Sequence, residues 1–115
     1  MEKTQQPKAN AKAQSGTIRA VHSGDAITIA FGGVTEKCYL SNVQAPYIGS
    51  PNRAEEAFAH AARESIRNKI IGRKCQFTID YEHNSRQFVT LMVEKECINV
   101  LVIESGFARV VERGG

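Results

Sequence analysis

Between Gly16 and Val43 apolar and polar positions alternate in three short runs, each closed by turn residues. Gly16 to His22 reads as a strand, and Ser23-Gly24-Asp25 is the kind of tight turn that joins antiparallel neighbours. Ala26 to Phe31 sets Ile27, Ile29 and Phe31 on one face and Ala26, Thr28 and Ala30 on the other. Gly32-Gly33 supplies the positive φ that a two-residue hairpin loop requires. Val34 to Val43 returns as a third strand, with Cys38 and Leu40 opposite Tyr39 and Ser41. Pro46 then ends the extended run, since proline has no N–H to give to a ladder.

Beyond a loop at Tyr47 to Asn52 the period changes. Asn52 and Glu55 have the spacing of a capping box, with Asn in the cap role. Ala54, Ala57, Phe58, Ala61, Ala62, Ile66 and Ile70 recur at three- and four-residue steps, which predicts a helix of about four and a half turns with one buried stripe. Gly72 ends it as the C′ residue. Lys74 to Tyr81 is a fourth strand, with Cys75, Phe77, Ile79 and Tyr81 on one face. His83-Asn84-Ser85 makes the turn into a fifth strand, Gln87 to Val93, apolar on both sides. Ile98 to Ser105 reads two ways: Val100, Val102 and Ile103 favour a strand, while Gly106 stands where a helix would end. Phe107 to Val111 has the content of one last short strand.

Three strands, a helix and two strands predict a mainly β, α+β chain. The expected form is a five-stranded OB-fold barrel with the helix between strands 3 and 4. An SH3-like barrel with an inserted helix is the competing architecture.

Composition narrows this picture only in places. At 115 residues, with 42% hydrophobic and 23% charged content, the chain fits one domain with one modest core. We set that domain at residues 16–112. Residues 1–15 carry Lys3, Lys8 and Lys12 among polar residues and form an expected disordered basic leader; residues 113–115 are read as the end of a linker. No stretch approaches the roughly 18 apolar residues of a membrane span, so no membrane partner is expected. Cys38, Cys75 and Cys97 are odd in number, widely spaced and set within apolar patterns, which fits reduced, mostly buried thiols better than a disulfide or zinc framework. A net charge of +3 permits nucleic-acid binding without requiring it.

With the elements placed, the sequence resembles staphylococcal-nuclease-like domains, in particular the first such repeat of the Tudor staphylococcal nuclease family. The matching residues are Gly16-Thr-Ile-Arg-Ala-Val-His-Ser-Gly-Asp25, Val43-Gln-Ala-Pro46, Ile70-Ile-Gly-Arg-Lys74, Arg86, and Ile98-Asn-Val-Leu-Val-Ile-Glu-Ser-Gly-Phe-Ala-Arg-Val110. The resemblance implies that Ile98–Ser105 is a second short helix after strand 5. In active members, carboxylates at the first hairpin and the third strand hold calcium, a glutamate beyond the proline activates water, and two arginines bind the phosphate. Carried onto this chain, the hairpin carboxylate is Asp25, with Ser23 in place of a second acid. The strand-end aspartate position is Gln44, the threonine after it Ala45, and the glutamate position Tyr47. The third-strand arginine falls at Tyr39, whereas the second arginine is kept as Arg86.

These departures have chemical consequences. Calcium takes about six to eight oxygen ligands, and Asp25 alone is a poor start. A phenol titrates near about 10, so Tyr47 is no base at neutral pH. The expectation is a domain with no intact catalytic set and no cofactor, calcium entering only under an alternative nuclease reading. Asp25 is then a metal-ligand remnant or a turn residue, the latter preferred. Arg86 is a phosphate fork or a solvated arginine. Tyr39 and Tyr47 stack on bases or pack at the strand end. Arg63, Arg67, Lys69, Arg73 and Lys74 form the densest basic cluster, available to phosphates or simply a solvated face diluted by Glu55, Glu56 and Glu64. The leading expectation is a degenerate module that binds RNA or single-stranded nucleic acid in a cytoplasmic, or also nuclear, coactivator or RNA-silencing protein. Its parent chain would hold further nuclease-like repeats and a Tudor domain. The alternatives are a calcium-dependent nuclease and a scaffold for silencing or transcription proteins.

Overall fold

The structure is a computed structural model, and it describes residues 13–46 and 57–111. The first strand, β1 (Gln14–Ser23), pairs antiparallel with β2 (Ala26–Phe31), which pairs antiparallel with β3 (Val34–Leu40). After the helix α1 (Ala59–Ile70), β5 (Lys74–His83) returns to β1, and β6 (Arg86–Val93) pairs with β5. The fifth contact closes the ring: β3 runs parallel to β6, with Cys38, Tyr39 and Leu40 beside Gln87, Phe88 and Val89. This closed barrel of five strands is the OB arrangement, and closure removes the exposed edges that an open sheet would present. The two-residue β4 (Val43–Gln44) and β8 (Arg109–Val110) pair with each other outside the barrel.

The interior is filled by Ile18, Val21, Ile27, Ile29, Cys38, Leu40, Phe77, Val89 and Leu91, with Ile66 and Ile70 of α1 closing one end. Gly32 and Gly33 both take positive φ, as their hairpin role requires. Three bulges, at Arg19, His22 and Asp80, reset which side chains face inward. Arg19 is an extra residue between the pairs Ile18–Ile29 and Ala20–Thr28, so Ile18 and Val21 are both buried. Asp80 is extra between Ile79–Val89 and Tyr81–Phe88. It breaks the face expected for Cys75, Phe77, Ile79 and Tyr81, turning Tyr81 outward to stack on Phe88 at 4.8 Å.

The expected third strand stops at Leu40, because Asn42 takes a left-handed φ of 59° before β4 begins. Within the described residues α1 starts at Ala59; Asn52, Ala54, Glu55 and the proposed capping box lie outside them. The buried stripe is Ala59, Ala62, Ile66 and Ile70, not one through Phe58 and Ala61. Phe58 has φ 65°, is 71% exposed and sets its ring 6.3 Å from that of Phe107. Ile98–Glu104 is the second helix, α2, preceded by the short β7 (Glu96–Cys97). Ile98 and Val102, four residues apart, are buried, and that packing outweighs the β-branched content. The leader residues 1–12 and the chain end 112–115 also lie outside the described residues; β1 itself begins two residues before the expected Gly16.

Candidate nucleic-acid interface and metal position

The turn after β1 brings Asp25 to the end of the third strand. Its Oδ1 accepts the Ser23 hydroxyl at 2.6 Å and its Oδ2 accepts the Ala45 N–H at 3.1 Å. The Asp25 carbonyl also accepts the Leu40 N–H at 2.9 Å. Gly24 makes this approach possible: a Cβ there would lie 2.8 Å from the Ala45 Cβ and 3.2 Å from the Ala62 Cβ. Asp25 is therefore a latch between the hairpin turn and the strand end.

The neighbouring position offers no second acid. Gln44 receives a hydrogen bond from the Arg109 Nη2 to its Oε1 at 3.1 Å, through the β4–β8 pairing. A guanidinium thus stands beside the place where a cation would have to bind. Among the described residues no three His, Cys, Asp or Glu side chains are grouped to hold a metal. With Asp25 joined by no second acid and a guanidinium on Gln44, the described residues fall short of the oxygen set calcium takes and do not fit it. Gln44, Ala45 and Pro46 instead line an open groove of about 420 Å³ with Gly106, Phe107, Ala108 and Arg109. Tyr47 lies outside the described residues.

On the outer face of the barrel the β3–β6 closure brings Tyr39 and Arg86 together, with the guanidinium carbon 5.0 Å from the ring centroid. The Lys37 Nζ lies 5.5 Å from the same centroid. Phe88 packs behind at 5.6 Å and is itself stacked on Tyr81. A base stacking on Tyr39 would have to share its ring with these cations. His22, bonded to the Thr28 hydroxyl at 2.7 Å, extends the face onto β1 and β2. Its pKa is lowered, first by burial and then by the Lys37 and Arg63 charges, which favours the neutral ring. Lys37 gave a readable signal, since it lies two residues from Tyr39 on one strand face. Arg109 gave none, because its role depends on a β4–β8 pairing that local pattern does not reveal.

The helix-side cluster is arranged differently. Arg63 donates through Nε to the Val21 carbonyl at 2.8 Å and through Nη1 to Glu64 at 2.6 Å. Arg67 stands 4.0 Å from Glu64, Lys69 3.4 Å from Glu96, and Arg73 2.5 Å from Glu94. Lys74 has no carboxylate partner among the described residues and sits at the start of β5, away from Tyr39 and Arg86. Four of the five cations are thus already paired with carboxylates, while Lys37 and Arg86 have no ion pair among the described residues.

The thiols follow their burial. Desolvation pushes Cys38 and Cys75 up to about 11, Glu36 adding to the effect at Cys38. Half-buried Cys97 should therefore be alkylated first in the native protein, with Cys38 and Cys75 reacting only on unfolding. Intact-mass spectrometry before and after adding denaturant reads this directly; early modification of a second thiol would contradict it.

The likeness to known proteins agrees with this architecture. A family model described as staphylococcal nuclease homologue matches residues 37–114. Ribonuclease TUDOR 2 of Arabidopsis thaliana is 31% identical over 109 residues, an alignment covering 86% of this chain and 11% of the relative. Ribonuclease TUDOR 1 of the same plant is 30% identical over 109 residues with the same coverage. The chain thus spans about a tenth of the length of the curated relatives it matches. With a match over most of its length and a closed five-stranded barrel beneath it, this chain belongs to the staphylococcal nuclease homologue family.

Proposed function

We propose that this domain binds single-stranded nucleic acid, RNA foremost, and does not cleave it. The observation that carries the reading is the exposed Arg86 guanidinium held 5.0 Å from the Tyr39 ring without a carboxylate partner among the described residues. Asp25, where the resemblance puts a calcium ligand, instead accepts hydrogen bonds from Ser23 and Ala45, which supports a structural role for it. Hydrolysis of a phosphodiester needs an activated water and stabilisation of developing charge. Among the described residues no three His, Cys, Asp or Glu side chains are grouped to hold a metal that would activate that water.

The names of the relatives, both ribonucleases, support RNA as the ligand class. They also favour a second reading, RNA cleavage, which by a metal-dependent route would require ligands beyond those described. Since the chain covers 11% of each relative, we further propose that it works as one repeat of a longer cytoplasmic, or also nuclear, chain with other nuclease-like units and a Tudor domain. Weak binding by one unit would there be raised by the effective concentration of its neighbours.

The test is binding of fluorescent single-stranded RNA across a salt series, with calcium or with chelator, followed by a denaturing gel of the same samples. Salt-sensitive, calcium-independent binding with intact RNA is the expected result. Calcium-dependent cleavage, abolished in both Asp25→Ala and Arg86→Ala, would establish the nuclease reading instead. Absence of both binding and cleavage would shift the assignment to a protein-interaction scaffold.

A further inference from the structure

We infer that Lys37 is a phosphate-binding residue, which together with Arg86 forms a two-cation seat around the Tyr39 ring for the backbone of a single strand. The inference rests on the nucleic-acid reading above and assigns a contact that reading does not contain.

Lys37 precedes Tyr39 by two residues on β3, so both project from the outer face of the barrel. The pairing of Lys37 with Thr28 and of Tyr39 with Ala26 fixes that register. Arg86 arrives from the opposite direction in sequence, at the start of β6, and is brought in by the parallel β3–β6 closure. The two cations lie 5.5 and 5.0 Å from one ring centroid. The negative face of an aromatic ring attracts such groups and restricts their rotamers, so less order is lost when a phosphate binds.

The charges here are also uncompensated. Neither Lys37 nor Arg86 is ion-paired among the described residues, whereas Lys69 and Arg73 already meet Glu96 and Glu94. Glu36, the acid next to Lys37, alternates to the other side of β3, where its charge raises Cys38. Lys37 acts outward and helps to depress the His22 pKa, so its positive field extends over the β1–β2 surface. A cation free of carboxylates releases its counterions on meeting a phosphate; one already paired must first break its pair.

The experiment measures binding of a fluorescein-labelled oligouridylate of about twelve nucleotides, a length within the site size of one OB fold. The full chain is compared with Lys37→Gln, Lys37→Arg, Arg86→Gln and Lys95→Gln over a salt series. Lys95 is the charge control, an exposed lysine in the turn at the far end of β6. For Lys37→Gln the slope of log K against log salt should become shallower by about 0.7, the change for one phosphate on a single strand. Arg86→Gln should do the same, while Lys37→Arg and Lys95→Gln keep the original slope. If Lys37→Gln keeps the original slope while Arg86→Gln loses part of it, Lys37 is not a contact and the nucleic-acid reading survives. An equal loss in Lys95→Gln would reduce the effect to net charge and overturn the inference. A wild-type chain that does not bind at all would overturn both.

Discussion

Replacing Asn99 with leucine should destabilise the domain by about 3 kcal/mol, the sum of an orphaned buried donor and lost hydrogen bonds. Asn99 is only 9% exposed. Its Oδ1 accepts the Leu91 N–H at 2.9 Å, and its Nδ2 donates to the Ser41 carbonyl at 3.1 Å and the Val89 carbonyl at 3.0 Å. One side chain on α2 therefore holds β6 on both sides of Thr90 and the end of the third strand. Leucine keeps the branched shape but leaves the Leu91 N–H without a partner, and that cost falls on the strand that closes the barrel. Urea unfolding should show a lower midpoint with an unchanged slope. Asn99→Asp should be worse near neutrality, because a carboxylate would face two carbonyl oxygens. It should recover in part as acid protonates the group, since the neutral acid can again donate. A loss below about 1 kcal/mol in Asn99→Leu would mean that the network is incidental.

This residue also marks how far sequence reasoning reached. Alternation from Ala26 to Phe31, the Gly32-Gly33 turn and the α1 termination at Gly72 were legible, because each depends on local backbone preference. The run from Ile98 to Glu104 was ambiguous as a local pattern, since its β-branched residues argue against the helix that Ile98, Asn99 and Val102 secure by tertiary contact. Bulges at Arg19, His22 and Asp80 were invisible, as an extra residue in one strand is defined only against its partner. So was the turn at Glu94 and Lys95, where both residues take positive φ without glycine or asparagine to announce it. The resemblance supplied α2 and the residues at the site positions, but not the contacts they make.

The candidate surface shows the same division. Tyr39 and Arg86 were singled out separately, and only the barrel closure makes them neighbours. Counting basic residues drew attention to α1, where the structure pairs the charges with Glu64, Glu94 and Glu96. Density of charge in sequence is thus a poor guide to free charge in space. Two cations on neighbouring strands, with the adjacent acid Glu36 on the other side of β3, leave more potential for a phosphate than a longer run already neutralised.

The contrast between a latch and a metal ligand can be drawn at Asp25. Asp25→Ala should cost about 2–3 kcal/mol, as two hydrogen bonds to a half-buried carboxylate are lost. The Ala45 N–H sits at the end of the third strand, in a residue only 8% exposed, and gains no replacement from alanine. Loosening it should free the rim around Gln44 and Pro46, including the groove beside Arg109. Asp25→Asn should fall between the two, because its Oδ1 can still accept the Ala45 N–H but the charge is lost and the Ser23 contact must reverse, Nδ2 donating to the hydroxyl oxygen. Calcium discriminates the roles: a ligand that binds only the folded state raises its stability in proportion to the logarithm of concentration. For a latch, the wild-type melting temperature stays constant as calcium is titrated, and Asp25→Ala melts lower with or without it. A calcium-dependent rise that Asp25→Ala abolishes would show that the carboxylate still holds a metal, and the domain would then have to be read as a nuclease.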